Sequence, residues 1–319
     1  MQEGKLTQSE AKALVAKYGC QRLAAKAAGV AKSTLWEALR RDELGVVEAK
    51  ISGKESEVVA LRRELALERA KLSALCQARG NVTLVKNAGN TIKYGVISDP
   101  HVGSMYFNET AFDAMFRYYK ELGIKDVLCA GDILSGHKVY KGHEYEVSEL
   151  GFGNQLKKLV SLDTHGAVVK FITGNHDLSF KALAGVRVGE EIASSSKSWQ
   201  FLGDEQADVE FTTTKGPYRV RLIHPGGGTA YAISYKVQKI VDSLGGGNKP
   251  NMIISGHFHK AEFIPSYRNV AICQPGTFEN QTPFMARMGL AAHVGGWVVE
   301  VTVGETYNII KTEFVPFYA

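Results

Sequence analysis

From Thr91 onward, short runs of apolar and β-branched residues alternate with longer helical stretches. The runs Ile92–Ser98, Asp126–Ala130, Ala167–Thr173, Arg219–His224 and Met252–Ser255 each end in a polar cluster, as buried strands of an α/β sheet do. Glu109–Leu122 and Thr229–Leu244 are predicted helices between them. Past Ala261 the pattern becomes β-rich, at Val270–Gln274, Gly296–Val303 and Thr306–Thr312. This order predicts a layered α/β domain with a mixed sheet and a substantial antiparallel part. Ligands of open α/β sheets gather at the carboxyl ends of strands, where the polar clusters fall.

Before Thr91 the pattern is helical. Gln21–Arg40 (QRLAAKAAGVAKSTLWEALR) has the twenty-residue spacing of a helix-turn-helix. Ala25 is the small residue where two helices approach, and Gly29 stands where the turn wants a left-handed backbone. Ala24, Ala28, Val30, Leu35 and Ala38 take the buried positions. Lys32, Ser33, Trp36, Glu37 and Arg40 are expected on the outer face of the second helix, the face that enters the major groove in DNA-binding examples. An alanine-rich helical hairpin that binds protein has the same pattern, and Trp36 fits either the core or a sugar-phosphate backbone. Residues 42–80 predict one long helix. Ile51, Val58, Leu65 and Leu72 recur every seven residues, which fits a short homo-oligomeric coiled coil over residues 46–79 or a helix packed on the main domain. A linker is expected over residues 81–90. The expected domains are therefore a helix-turn-helix module (1–41), a helical connector (42–80) and a main domain (91–319).

Charge sharpens this division. Residues 1–41 hold eight Lys and Arg against three acids, an excess equal to the whole chain's net charge of +5. A basic head on a neutral body predicts a polyanion partner, DNA, for residues 1–41, although a basic solubilising face has the same composition. Hydrophobic content of 45% is ordinary for a globular chain. No apolar run reaches the roughly 20 residues that cross a bilayer, so no membrane partner is expected. The polar, mixed-charge N-terminus does not read as a secretory signal, and the four cysteines form no CxxC pair. Both fit a cytoplasmic protein.

The candidate chemistry lies at the strand ends: Asp99-Pro100-His101, Gly131-Asp132, Gly174-Asn175-His176-Asp177, His224 and Gly256-His257-Phe258-His259. Carboxylate, imidazole and amide oxygen together suit divalent transition ions. These five motifs, in this order and spacing, resemble the calcineurin-like metallophosphoesterase superfamily over roughly residues 93–312. Further stretches (VYKGHEYE, FLGDEQADVEF, HPGGGTAYAISYKVQK, GTFENQTPFMARMGL and GGWVVEV) resemble a branch from phage and prokaryotic genomes, some of it likened to DNA-repair exonucleases. A phage-encoded member would work in the host cytoplasm.

The resemblance implies an αββα sandwich holding two divalent metal ions, manganese first, with iron, zinc, nickel or magnesium also compatible. Asp99, His101 and His259 would hold one ion and Asn175, His224 and His257 the other, with Asp132 bridging. A hydroxide between the ions would attack phosphorus. His176 would give a proton to the leaving oxygen. Asp177 would either orient His176 or cap a helix before Leu178. The implied activity is that of a phosphodiesterase or nuclease acting on DNA. A phosphoprotein or small phosphoester is the alternative substrate, and a DNA-binding assembly protein with a vestigial site is the alternative class.

Ser135 stands where many members have a second Asp, so altered support around the metals is expected. Pro100 within the first motif is unusual. His137 and His143 fit either phosphate contacts or exposed loop histidines, with the loop reading favoured. His165 and His293 belong to no motif and are expected to be structural. Pro225-Gly226-Gly227-Gly228-Thr229 would offer N–H groups to phosphate or, the favoured reading, bring the backbone close to the metals.

Overall fold

The structure, a computed structural model, describes residues 82–318 except 229–231, 246 and 248, together with four helical positions nearer the N-terminus, Ala11, Ala13, Lys17 and Lys26. The chain divides into two compact units, Met1–Leu75 and Cys76–Ala319. The expected DNA contacts Lys32, Ser33, Trp36 and Arg40 and the heptads of residues 46–79 lie outside the described residues.

The second unit runs β1 (Val82–Lys86), β2 (Thr91–Ile97), α1 (Glu109–Glu121), β3 (Asp126–Cys129), a 3-10 turn (His143–Tyr145), α2 (Phe152–Ser161), β4 (Val168–Thr173), α3 (Asn175–Ala184) and α4 (Val188–Ser195). It continues through β5 (Trp199–Asp204), β6 (Gln206–Thr213), β7 (Gly216–Ile223), α5 (Tyr235–Ser243), β8 (Met252–Ser255), β9 (Ala261–Tyr267), β10 (Val270–Pro275), α6 (Pro283–Arg287), β11 (Gly295–Val303) and β12 (Asn308–Pro316). The strands form two six-stranded sheets, ordered β12-β11-β2-β3-β4-β5 and β1-β6-β7-β8-β10-β9.

Strand alternation builds the layers. In β3, Val127 and Cys129 face helices while Leu128 faces the other sheet. Tyr94, Val96, Ile172, Val209, Val220, Ile254 and Val299 fill the space between the sheets. Outside the first sheet, α1, α2 and α4 bury Phe112, Phe116, Leu159 and Ile192 against it. Outside the second, Val237 and Val241 of α5 pack on Ile253 and Ile272. The result is the expected αββα sandwich.

Helix α1 begins where the Asn108 side chain accepts the Ala111 N–H at 3.0 Å. Its Tyr119 ring lies flat on Gly95, where any Cβ would collide with it. The Tyr119 hydroxyl bonds the Val96 and Trp297 carbonyls, both at 3.1 Å.

Two expectations change. The segment taken as linker contains β1, which pairs in parallel with β6 at the sheet edge, so the folded body begins before residue 91. The helix expected from Thr229 starts, among the described residues, at Tyr235. No helix among the described residues is long and apolar enough to cross a membrane.

Candidate metal centre

Three neighbouring parallel strands of the first sheet, β2, β3 and β4, end in loops carrying Asp99, His101, Asp132 and Asn175. Two neighbouring parallel strands of the second, β7 and β8, end in His224, His257 and His259. The sandwich thus brings all seven expected ligands to one end.

The local backbone is shaped for this. Ten described non-glycine residues have positive φ, and five are expected ligands: Asp99, His101, Asp132, His257 and His259. Such conformations are unfavourable for residues with a Cβ and cluster at functional sites. The glycines before the ligands permit close approach. A Cβ on Gly131 would stand 2.6 Å from His224 Nδ1; one on Gly174 would collide with the Asp132 carboxylate, and one on Gly256 with the Ala130 carbonyl.

Three groups of side chains offer ligand atoms to a common point: Asp99, His101 and His259; His101, Asp132 and His176; and Asp132, His224 and His257. Asp132 belongs to two of them. Its Oδ2 lies 4.0 Å from His101 Nε2 and 3.1 Å from His224 Nε2. His101 Nε2 and His259 Nε2 are 3.0 Å apart. Asp99 Oδ1 is 3.9 Å from the first and 3.5 Å from the second. Asn175 Oδ1 sits 3.1 Å from His224 Nε2. Ligands about 2.1 Å from one ion stand about 3.0–3.4 Å apart at right or tetrahedral angles, so the spacing suits a metal centre. The donors, imidazole nitrogen with carboxylate and amide oxygen, suit borderline divalent ions.

Hydrogen bonds outside the centre set the tautomers. His224 Nδ1–H donates to the Ala130 carbonyl at 2.7 Å, turning Nε2 toward Asp132 and Asn175. His257 Nε2–H donates to the Gly227 carbonyl at 2.8 Å, leaving Nδ1 as its ligand atom. The glycine segment therefore supports a ligand, as the backbone reading of it expected. The Asp99 carboxylate accepts the His257 backbone N–H at 3.0 Å. Burial lowers the affinity of His101 and His257 for a proton and keeps both neutral. Burial raises Asp132, but His224 and then His176 outweigh it and hold the carboxyl well below its usual range. Burial also opposes charge on His224, yet Asp132 raises it to about 10. The carboxylates thus favour positive charge on His224 and His259, while burial and neighbouring imidazoles disfavour it on His101.

The calcineurin-like phosphoesterase superfamily domain matches residues 92–291, well over half of the chain. The chain belongs to this superfamily. It is also similar to the DNA polymerase II small subunit of Methanocaldococcus jannaschii, with 23% identity over 253 residues, 65% of this chain and 41% of that protein. The chain thus spans less than half the length of that relative. Two solved structures are similar in part. A conserved uncharacterized protein of Streptococcus pneumoniae TIGR4, described as a predicted phosphoesterase, has 15% identity and a TM-score of 0.36, covering 70% of this chain and 90% of its own. The zinc complex of Vps29 from Entamoeba histolytica has 16% identity and a TM-score of 0.33, covering 71% and 100%.

Around the expected ligands of this member of the calcineurin-like phosphoesterase superfamily, His176 donates its Nδ1–H to the Ser135 carbonyl at 2.6 Å. Its backbone N–H donates to Asp132 Oδ1 at 2.8 Å. Of the two roles open to Asp177, its bonds are those of a residue fastening the start of α3, not of one orienting His176. Its buried carboxylate accepts the backbone N–H groups of Ile133, Leu134 and Gly174 at 3.1, 2.8 and 2.9 Å. It fastens the loop carrying Asp132 to the turn before α3. Burial and then Asp132 push its carboxyl up to about 7, against those three donors.

His143 also departs from the loop-histidine expectation. It is 2% exposed, its ring meeting that of His176 edge-on at 5.2 Å. Val139 N–H donates to its Nδ1 and its Nε2–H reaches Ser135 Oγ, both at 3.3 Å. Burial and then His176 lower it to about 4, so it is neutral at neutral pH. Ser135 thus supports His176 through its carbonyl and His143 through its hydroxyl. His137 is half-buried and lies by Phe180 at 6.5 Å. His165 and His293 are structural: the first bonds Asp113 at 2.8 Å and the second accepts the Ala261 N–H at 3.0 Å.

A cavity of about 400 Å³ opens on the centre, lined by His101, Asp132, Asn175, His176, His257 and His259. Its lining also includes Tyr140, Phe284, Met285, Met288 and Leu290. Glu279, also in the lining, was not singled out from the sequence; burial pushes its carboxyl up to about 7 while His259 opposes. The signal for these residues lay in the VYKGHEYE and GTFENQTPFMARMGL stretches, each of which supplies an aromatic to the same cavity.

Proposed function

We propose that the chain is a divalent-metal-dependent phosphoesterase whose substrate is a phosphodiester of nucleic acid. The convergence of seven candidate ligands from five strand ends, five of them lining one cavity with His176 beside them, carries this reading. Asp99, His101 and His259 would hold one ion and Asn175, His224 and His257 the other, with Asp132 between. Bound divalent ions supply Lewis acidity and bring water's pKa toward neutrality. The chain's own groups orient the substrate and move the proton. Because His176 Nδ1–H is engaged by the Ser135 carbonyl, the proton that can leave the imidazolium is on Nε2. There it would neutralise the departing alkoxide.

Two observations support a nucleic-acid substrate. The curated relative is described as a subunit of a DNA polymerase, and the basic excess of residues 1–41 suits a polyanion. The test is a manganese-supplemented assay comparing bis-p-nitrophenyl phosphate, p-nitrophenyl phosphate and single- and double-stranded DNA. Cleavage of the diester and of DNA, exceeding cleavage of the monoester, is expected. Hydrolysis of the monoester alone would transfer the reading to phosphoproteins or small phosphoesters. For the head, residues 1–80 should bind duplex DNA with a log–log salt slope of about −0.9 per phosphate contacted. Lys32→Ala with Arg40→Ala should flatten that slope. No binding at low salt would make the head a protein-interaction hairpin.

A further inference from the structure

Part of the cavity's lining beside the candidate ligands is too apolar to be explained by phosphate chemistry. Tyr140 and Phe284 come from distant segments and stack at 4.3 Å with planes 21° apart. Glu146 holds them together: Tyr140 O–H donates to its Oε2 at 2.6 Å, and Phe284 N–H to its Oε1 at 3.2 Å. Helix α6 carries Phe284 on a firm start, where Thr282 Oγ1 accepts the Met285 N–H at 3.2 Å. Met288, 58% exposed, and Leu290 extend the shelf outward. A polar rim would dissolve a phosphate as well, so an apolar shelf this close to the ligands has a ring or chain to receive.

Position says which part of a substrate lies there. The Tyr140 ring is 6.3 Å from that of His176, the residue that protonates the leaving oxygen, so the shelf borders the leaving group. Size limits what it admits. A cavity of about 400 Å³ lies in the range that encloses one small organic molecule, far less than a base-paired duplex.

Resting on the phosphoesterase reading, we infer that this shelf seats the base of a single unpaired nucleotide on the leaving side of the scissile bond. DNA would then be attacked at a single-stranded or frayed position, where a base is free to leave the stack. Aromatic side chains in single-strand sites hold bases with little sequence preference, so specificity should be for unpairedness, not for sequence.

The test titrates the full manganese-loaded chain by calorimetry with deoxyadenosine monophosphate, deoxyribose 5-phosphate and phenyl phosphate. The nucleotide should bind about tenfold or more tightly than the base-less sugar phosphate. Phe284→Ala should shrink that ratio to within about twofold, and Phe284→Trp should keep it. If Phe284→Ala does not fold, Phe284→Leu, which keeps apolar bulk without a ring, is expected to shrink the ratio in the same way. Equal binding of nucleotide and sugar phosphate to the unaltered chain would overturn the inference. So would an unchanged ratio without the ring, or phenyl phosphate binding as tightly as the nucleotide, which would point to phosphotyrosine. Hydrolysis without base preference would remove the shelf and leave the phosphoesterase reading. Base preference with no hydrolysis of any phosphoester would do the reverse.

Discussion

The two sheets contribute differently to the same centre. The strand ends of the first give the acidic and amide oxygens, Asp99, Asp132 and Asn175, together with His101 and His176, the proposed proton donor. Loops of the second give imidazoles alone: His224, His257 and His259. Their outer faces differ too. The first is covered by several helices over a large apolar cluster. The second carries a smaller cluster under α5, and beside it Arg221 grips Asp208 at 2.6 and 2.9 Å, both residues buried. The first half therefore concentrates charge at the centre and hydrocarbon outside. The second offers imidazoles at the centre and keeps an ion pair in its own framework. Neither half makes a centre alone, since His224 leans on the Ala130 carbonyl and the His257 N–H on Asp99.

Altering the group both halves share should have the largest effect. Asp132→Asn should take bound metal from two ions toward one or none, read by elemental analysis, and abolish hydrolysis, because a neutral amide bridges cations poorly. Two ions retained per chain would show that the halves hold metal independently. Next comes the acid of the first half. His176→Ala should keep the metal content but lower turnover roughly 10²–10⁴-fold on diesters with poor leaving groups. The loss should shrink with p-nitrophenolate as leaving group; equal losses on both would place the proton source elsewhere.

The framework of the second half should answer in stability. Arg221→Ala leaves a buried carboxylate unpaired and should lower unfolding free energy by about 3–5 kcal/mol in urea titrations, while an apolar pair at 208 and 221 should be near neutral. A small loss for the single change would mean that water reaches Asp208. The smallest expected effect belongs to the strut of the first half. Asp177→Ala strands three backbone N–H groups and should destabilise by about 2–4 kcal/mol, water replacing part of what is lost. An unchanged urea midpoint would show that the Asp132 loop needs no such fastening.

The ligands were legible in the sequence because metal chemistry restricts both residue type and position: Asp, His and Asn at strand ends have few other reasons to recur in that order. The central strands were legible because both their faces are buried, which makes them continuous apolar runs. β6 was harder. Its Asp208 and Glu210 look solvent-facing, yet they meet Arg221 and Arg219 on β7, a pairing that only the register reveals. β1 was hidden by the Asn and Gly residues around it, which have the composition of a linker. Asp177 was open to two readings because it both adjoins His176 and opens a helix; helix geometry turns its carboxylate back under the preceding loop, which favours the capping role. His143 looked like a loop residue because burial by a fold-back of the same loop leaves no periodic trace. Tyr140 and Phe284 stack on each other from distant segments, with Glu146 bonding both, and no spacing along the chain announces that.

The left-handed backbone at Asp99, His101, Asp132, His257 and His259 sets selection for function against selection for endurance. Glycine adopts those angles freely, so His101→Gly or His257→Gly would relax the local chain even as it discards a ligand. Such proteins should tolerate more heat than a metal-stripped parent while doing nothing. A lineage freed from its chemistry would therefore drift toward glycine at these turns, and glycine there is a mark by which an inactive descendant can be recognised.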